Sequence, residues 1–198
     1  MSTVMIGGPP PEWEARSVEK KLEFLARKIA NAPGMGGETN SMALGGILAV
    51  LSMMKVDSSS FFLDLGCGYG MPVFAAKLAF RAKTADGIDY NKHAVDFAVA
   101  RRQELFPEVR RMSFMHGDIL EMDSLPCGLT HVYMADTAYP PTVMNKLIEL
   151  LNANDEWTYL ASNNVVTEDL AGATLIGSVQ TRLSGSNNSR KMKVFYRA

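Results

Sequence analysis

The sequence has few cysteines, few histidines and almost no net charge, and each scarcity excludes a class of protein. Two cysteines and three histidines in 198 residues provide neither a disulfide framework nor the ligand spacing of a zinc site. A net charge of −1 gives no general attraction to nucleic acid. No apolar run reaches the ~20 residues that a membrane-spanning helix needs. We therefore expect a protein with no bound metal, no membrane span and no strong nucleic-acid signal.

The chain is predicted to have three parts. Residues 1–11, rich in glycine and proline, are predicted to be a disordered lead-in, and they lack the basic-then-apolar order of a secretory signal. Apolar periodicity predicts an N-terminal helical cap over 12–58, followed by the main domain at 59–198. Because cysteines are few, the expected compartment is reducing: the cytoplasm, with the nucleus as the alternative.

The most informative segment is 61–70, which reads Phe-Phe-Leu-Asp-Leu-Gly-Cys-Gly-Tyr-Gly. An apolar strand runs into an alternating glycine turn, with Asp64 near the strand end and with Gly66 and Gly68 in the turn. Glycine has no Cβ, so a ligand can lie against the backbone, and the free N–H groups of the next helix face the same crevice. Open α/β sheets bind nucleotides at this position.

Two later strand ends continue the pattern. Asp89 and Tyr90 follow a strand predicted over 85–88, about twenty residues after the glycine turn, where an acidic residue binds ribose hydroxyls in βαβ units. Asp118 and Ile119 follow the next predicted strand. Each of these residues alone is equally typical of an ordinary turn. Their order along the chain is what indicates a nucleotide-type ligand.

The D-x-G-x-G-x-G pattern that begins at Asp64 resembles motif I of the class I S-adenosylmethionine-dependent methyltransferases. The resemblance covers about residues 38–197. It implies a Rossmann-like, doubly wound, mostly parallel seven-stranded α/β sheet that ends in an antiparallel hairpin. It also implies S-adenosylmethionine as the cofactor, with Asp64 at the methionine portion, Asp89 at the ribose, and Asp118 with Ile119 at the adenine. The predicted cofactor contacts are completed by Gly66, Gly68 and Tyr90.

The same resemblance locates the methyl acceptor at the fourth strand, predicted over 132–135. The tip of this strand borders the reacting methyl group in class I methyltransferases, so Asp136 and Tyr139 are the predicted catalytic residues. A carboxylate suits an amine, and an aromatic face attracts an alkyl ammonium. These residues favour a nitrogen acceptor, on a protein lysine or a small molecule. The alternative interpretation of Tyr139 is a tyrosine of the core.

A narrower resemblance concerns Gly37-Glu38, which precede the second predicted helix. They resemble a segment of the disruptor-of-telomeric-silencing histone lysine methyltransferases, a non-SET family, and the resemblance implies that Glu38 contacts the cofactor. The chain has Gly36 where that family has tyrosine, and Asp136-Thr137 where it has paired asparagine.

Two other classes of function share parts of the pattern. A non-catalytic methyltransferase-like partner subunit would keep the fold without turnover, although the intact glycine turn and Asp89 count against it. A nicotinamide-dependent oxidoreductase would share the sheet, but Met71 occupies the position of the third glycine of the dinucleotide fingerprint. The sequence does not identify the methyl acceptor.

Overall fold

The structure is a computed structural model that describes residues 13–32, 43–182 and 189–198. In these ranges the strands are β1 (Phe61–Leu65), β2 (Thr84–Asp89), β3 (Met112–His116), β4 (His131–Met134), β5 (Tyr159–Ser162), β6 (Ala173–Arg182) and β7 (Ser189–Arg197). The α-helices are α1 (Val18–Ala30), α2 (Leu44–Met53), α3 (Met71–Leu78), α4 (Lys92–Leu105) and α5 (Pro141–Ala153). None of these helices has the length and apolar character needed to cross a membrane.

All of these strands form one sheet in the order β3-β2-β1-β4-β5-β7-β6. The first five strands pair in parallel, and β7 runs antiparallel to both of its neighbours. The predicted seven-stranded, mostly parallel sheet with a terminal antiparallel hairpin is confirmed. Because the strand order reverses between β1 and β4, the loops that follow these two strands open on the same crevice.

Two hydrophobic cores lie on opposite faces of the sheet. On one face, α1 to α4 pack over alternate residues of the strands, and large buried side chains such as Phe62, Phe74 and Phe106 fill the space. On the other face, α5 packs with Trp157 and the remaining alternate strand residues. The helices α1 and α2 share the first core: α1 packs on α3, and α2 packs on α3 and β6. The helix α2 therefore lies against the sheet, and α1 lies on α2 and α3.

The helices beside the crevice begin where the sequence provides a suitable start. The Asn91 side chain caps α4 by accepting a hydrogen bond from the Ala94 N–H at 3.2 Å, as its residue type predicts. At α3, Gly70 has a φ of +83° and is followed within the first turn by Pro72. A Cβ on Gly70 would lie 2.3 Å from the Phe114 ring. The glycine turn consequently ends directly at the N-terminus of α3.

A buried histidine joins β4 to the end of α2. The His131 Nε2 lies 3.0 Å from the Met54 carbonyl oxygen, which can only accept, so this nitrogen carries the proton. Its Nδ1 lies 2.8 Å from the Thr130 hydroxyl, and its ring stacks on Tyr159. Burial lowers the pKa of His131, although the Met54 carbonyl and the Asp57 charge act in the opposite direction. The neutral ring is therefore the form that fits the folded protein.

Because the pKa of His131 is lowered in the folded protein, we expect the protein to lose stability in mild acid. Above the unfolded pKa of about 6.5 neither state binds the proton, whereas below it the unfolded chain binds the proton more readily than the folded one. The free energy of unfolding, measured with denaturant between about pH 7.5 and pH 5.5, is expected to fall, and this slope is expected to shrink in His131→Gln. The exposed His93 is the control, and an equal loss of slope in His93→Gln would contradict the assignment.

Candidate active site

A cavity of about 400 Å³ opens at the carboxyl ends of β1 to β4. It brings together eight of the ten residues that the sequence predicts for the site: Asp64, Gly66, Gly68, Asp89, Tyr90, Asp118, Ile119 and Tyr139. Asp136 is not part of the cavity wall. Glu38 lies outside the described residues, so its predicted contact stays a prediction.

Asp64 is the first acidic residue of the cavity, and one oxygen of its buried carboxyl group has no described hydrogen-bond partner. Asp64 lies within β1, one residue before its end, and its side chain is 1% exposed. Its Oδ1 atom is buried and has no hydrogen-bond partner among residues 13–32, 43–182 and 189–198. Burial, and then the neighbouring charge of Asp89, raise the pKa of Asp64 well above the usual value. An unpaired buried carboxyl oxygen is unfavourable, so this position suits a ligand that brings a hydrogen-bond donor, above all a cationic one.

The second acidic residue of the cavity holds the glycine turn in place. Asp89 ends β2, and its Oδ2 accepts a hydrogen bond from the Gly68 N–H at 2.6 Å. Its Oδ1 accepts one from the Asn91 N–H at 2.7 Å. A carboxylate oxygen has two lone pairs, so each oxygen retains acceptor capacity after these bonds. Asp89 thus positions the turn and still offers two oxygens to a pair of ligand hydroxyls.

The glycine turn is in direct contact with the loop that follows β4. The Tyr139 hydroxyl donates a hydrogen bond to the Leu65 carbonyl oxygen at 2.5 Å. Gly66 has a φ of +81°, and a Cβ built on it would lie only 1.6 Å from the Tyr139 oxygen. Position 66 therefore needs glycine both for its backbone conformation and for the space that the tyrosine fills. The predicted role of Tyr139 beside the methyl acceptor stays a prediction.

The Cys67 side chain explains why position 87 is a glycine. A Cβ on Gly87 of β2 would lie 2.7 Å from both the Cβ and the Sγ of Cys67. Burial, followed by the charges of Asp64 and Asp89, raises the pKa of the Cys67 thiol. A thiol that stays protonated is a poor nucleophile. We therefore assign Cys67 a packing role under the turn.

The remaining wall on the acidic side comes from the residues after β2 and β3. Asp118 caps a one-turn helix, since its Oδ1 accepts a hydrogen bond from the Leu120 N–H at 2.9 Å. Ile119 is buried in the wall, while the Tyr90 side chain is 66% exposed at the rim. The Tyr90 carbonyl oxygen lies 3.1 Å from the His116 Nε2, which ties the two strand ends together. A carboxylate, an apolar side chain and an aromatic ring therefore meet at this end of the cavity.

Asp136 has a different environment from the one predicted. It is fully buried, and its carboxylate accepts hydrogen bonds from the Ser162 hydroxyl at 2.7 Å and the Asn163 N–H at 2.6 Å. The Asn164 N–H is a further donor at 3.2 Å. These donors all belong to the end of β5 and the loop after it. The structure therefore does not bring Asp136 to the cavity, because the β5 loop supplies the donors that its buried carboxylate requires.

Several wall residues have no counterpart in the predicted site, including one each from α2, β4 and α5. Ile47 comes from α2, Tyr133 from β4 and Val143 from α5. In the sequence each occupies an apolar position of a helix or strand, which is indistinguishable from an ordinary core position. The sequence contains no local signal that would have found them.

Comparisons with known proteins identify a family and a fold. Residues 57–174 match the family described as "Methyltransferase domain". Magnesium protoporphyrin IX methyltransferase from Synechocystis, with bound S-adenosylmethionine, superposes with a TM-score of 0.56 at 16% identity, over 91% of this chain and 84% of that chain. TrmK from M. capricolum, in complex with S-adenosylhomocysteine, gives 0.56 at 12% identity over 78% and 67%. No curated protein matches the sequence. At these identities the structural likeness establishes the fold alone.

The sheet order and the cleft at the strand ends define a Rossmann-like protein of the nucleotide-binding kind. Because the family match covers more than half of the chain, the protein belongs to this methyltransferase family. It is a class I S-adenosylmethionine-dependent methyltransferase, as the glycine turn predicted, and S-adenosylmethionine is its cofactor. Family membership does not identify the methyl acceptor.

Proposed function

We propose that the acidic side of the cavity binds S-adenosylmethionine and that the methyl acceptor enters beside Tyr139. The single observation that carries the proposal is the buried Oδ1 of Asp64, which has no hydrogen-bond partner in the part of the chain that the structure describes. The ammonium group of the methionine portion would supply the missing donor, as a charge-assisted hydrogen bond. The two oxygens of Asp89 would accept the hydroxyls of the ribose, as an acidic residue does at this point of a βαβ unit.

The adenine end of the cofactor would lie against the residues after β3. Asp118 would accept a hydrogen bond from the exocyclic amino group, and the Ile119 N–H would meet a ring nitrogen. The Tyr90 ring lies at the rim, where it would cover the ring system of the cofactor. Gly66 and Gly68 would let the cofactor approach the backbone of the turn.

In this proposal the enzyme acts mainly by positioning. S-adenosylmethionine supplies a methyl group that is already electrophilic, so orienting the acceptor in line is worth up to ~7–11 kcal/mol in well-aligned systems. Tyr139 borders both the glycine turn and the acceptor side of the cavity. The acceptor is proposed to be a nitrogen. Asp136 takes no part in its binding, because the carboxylate is used by the β5 loop.

The ribose assignment predicts the behaviour of Asp89→Ala with two ligands. The variant is expected to lose affinity for S-adenosylmethionine and for methylthioadenosine alike, because both carry the ribose. The expected loss is about tenfold or more for each, as for a hydrogen bond to a charged group. Calorimetric titration measures both affinities. Asp96→Ala is the matched control, since Asp96 is exposed on α4 and pairs with Lys92. Unchanged affinity of Asp89→Ala for both ligands would show that the ribose binds elsewhere.

A further inference from the structure

We infer that the methyl acceptor is a neutral heteroaromatic nitrogen with a free lone pair, held by an apolar wall, rather than an ammonium or a carboxylate. The inference rests on the proposed function, because it places the cofactor on the acidic side of the cavity. It narrows the acceptor from any nitrogen to one chemical class.

The carboxylates of the cavity come from three strand ends, and the other described residues of its lining are uncharged. The carboxylates belong to Asp64, Asp89 and Asp118, all at the ends of β1 to β3 or just after them. We use the name acceptor wall for the lining residues from α2, the start of α3, the exit of β4 and the start of α5. Among the described residues this acceptor wall contains no Asp, Glu, Lys, Arg or His, and it includes Ile47, Met71, Tyr133, Ala135, Tyr139 and Val143.

The acceptor wall also provides no base. Asp136 is the carboxylate at the tip of β4, and it is fully buried under donors from the β5 loop. Burial is the main cause that raises the pKa of Tyr133 and of Tyr139 well above the usual value, so both phenols stay protonated at neutral pH. The Tyr139 hydroxyl already donates a hydrogen bond to the Leu65 carbonyl oxygen. The described wall therefore orients an acceptor without taking a proton from it.

An aliphatic amine fits this wall poorly. At neutral pH it is an ammonium, which must lose a proton before its nitrogen can attack, and the described acceptor wall has no base to take that proton. A carboxylate fits poorly for another reason, because Asp64 and Asp89 add negative charge in the same cavity. A ring nitrogen of the pyridine type meets neither obstacle, and its flat apolar body can pack against Val143 and Tyr139.

The reaction then balances without proton transfer. The lone pair of the ring nitrogen forms the new bond to the methyl carbon, while the bond from that carbon to sulfur breaks and its electron pair stays on sulfur. The sulfonium becomes the neutral thioether of S-adenosylhomocysteine, and the positive charge moves to the methylated ring. No oxidant, metal or base is needed.

A matched pair of probes tests the inference. Phenylpyridine and phenylpiperidine have nearly the same skeleton, but the first carries a neutral ring nitrogen and the second an ammonium at neutral pH. Biphenyl carboxylate adds the acidic alternative. We measure transfer of labelled methyl from S-adenosylmethionine to each probe with the full chain, together with the affinity for S-adenosylmethionine. Phenylpyridine is expected to react at least about tenfold faster than either charged probe, because the described acceptor wall has no base for the ammonium proton and because Asp64 and Asp89 disfavour a carboxylate.

A variant allows the same test to be made on the ratio of the rates for the two probes, which does not depend on the absolute rates. Val143→Glu adds a carboxylate to the acceptor wall and is expected to reduce the preference for phenylpyridine by improving the reaction of phenylpiperidine. Val18→Glu is the matched control on α1, where Val18 is 42% exposed, and it is expected to keep the original preference. Denaturant unfolding of both variants verifies that they are folded.

The outcomes separate the inference from the proposed function. If the protein does not bind S-adenosylmethionine, the proposed function itself is wrong. If it binds the cofactor but methylates phenylpiperidine or the carboxylate as fast as phenylpyridine, or methylates none of the three, the acceptor class is wrong and the cofactor assignment stands. An unchanged preference in Val143→Glu also overturns the inference, since it would show that a charge on the acceptor wall does not decide which acceptor is methylated.

Discussion

Replacing Asp64 by asparagine is expected to stabilise the free protein and weaken the binding of S-adenosylmethionine. The native side chain is a buried carboxyl group whose Oδ1 has no partner among the described residues, and burial together with the Asp89 charge makes its ionised form unfavourable. Asparagine has nearly the same shape and no charge, so it removes an unfavourable burial. It also removes the charge-assisted bond to the ammonium, worth about 1.5–3 kcal/mol, or roughly tenfold to hundredfold in affinity.

A second ligand shows whether the effect comes from the ammonium. Methylthioadenosine has the ribose and adenine but lacks the amino-acid portion, so Asp64→Asn is expected to leave its affinity within about twofold, well below the effect of a lost charged hydrogen bond. Thermal unfolding measures the stability, and calorimetry measures the two affinities. Asp96→Asn makes the same change in net charge on an exposed helix position and serves as the control. Equal losses for both ligands, or a less stable protein, would contradict the assigned role.

Replacing Asp136 by alanine is expected to destabilise the fold rather than act on the chemistry. The change leaves the Ser162 hydroxyl and the Asn163 and Asn164 N–H groups without their buried acceptor. Each unsatisfied buried donor costs about 1–3 kcal/mol, so a loss of about 3–5 kcal/mol is expected in the free energy of unfolding. Asp136→Asn keeps one acceptor oxygen and is expected to lose less.

The same two variants decide between a structural and a catalytic Asp136. Denaturant unfolding gives the stability, and calorimetry at a temperature where the variants remain folded gives the affinity for S-adenosylmethionine. We expect the order of stability to be wild type, then Asp136→Asn, then Asp136→Ala, with cofactor affinity unchanged. Full stability combined with loss of methyl transfer in Asp136→Asn would instead restore the catalytic role that the sequence predicted.

The sheet was predictable because its signals are local. Short apolar runs bounded by glycines and turn residues locate the parallel strands, and alternation with helical periodicity indicates the crossovers. Strand bounds were less accurate. The apolar residues from Trp157 to Ala161 predict a fifth strand, whereas β5 begins at Tyr159. Trp157 precedes the strand and is buried, and its indole N–H donates a hydrogen bond to the Leu151 carbonyl oxygen. An apolar residue before a strand has the same appearance in the sequence as one inside it.

The cofactor side of the site was predictable for a related reason. Asp64, Asp89 and Asp118 lie at or near the ends of parallel strands, and parallel strands bring their carboxyl ends to one edge of the sheet. Asp136 also lies just after a parallel strand, but it does not line the cavity. Its carboxylate is bound by the loop after β5, which is distant in sequence. Hydrogen bonds over such separations leave no local pattern.

The acceptor side was the least predictable part. Its wall combines Ile47 from before the glycine turn with Val143 from well after it, and both have the apolar character of core residues. Chain folding alone brings them together.

The most direct test of the central claim is a calorimetric titration of the full chain with S-adenosylmethionine, with a nicotinamide dinucleotide as the control ligand. The account predicts saturable binding of S-adenosylmethionine in the micromolar range and no binding of the dinucleotide. Absence of S-adenosylmethionine binding at millimolar ligand, or tighter binding of the dinucleotide, would contradict the assignment of the cavity to this cofactor.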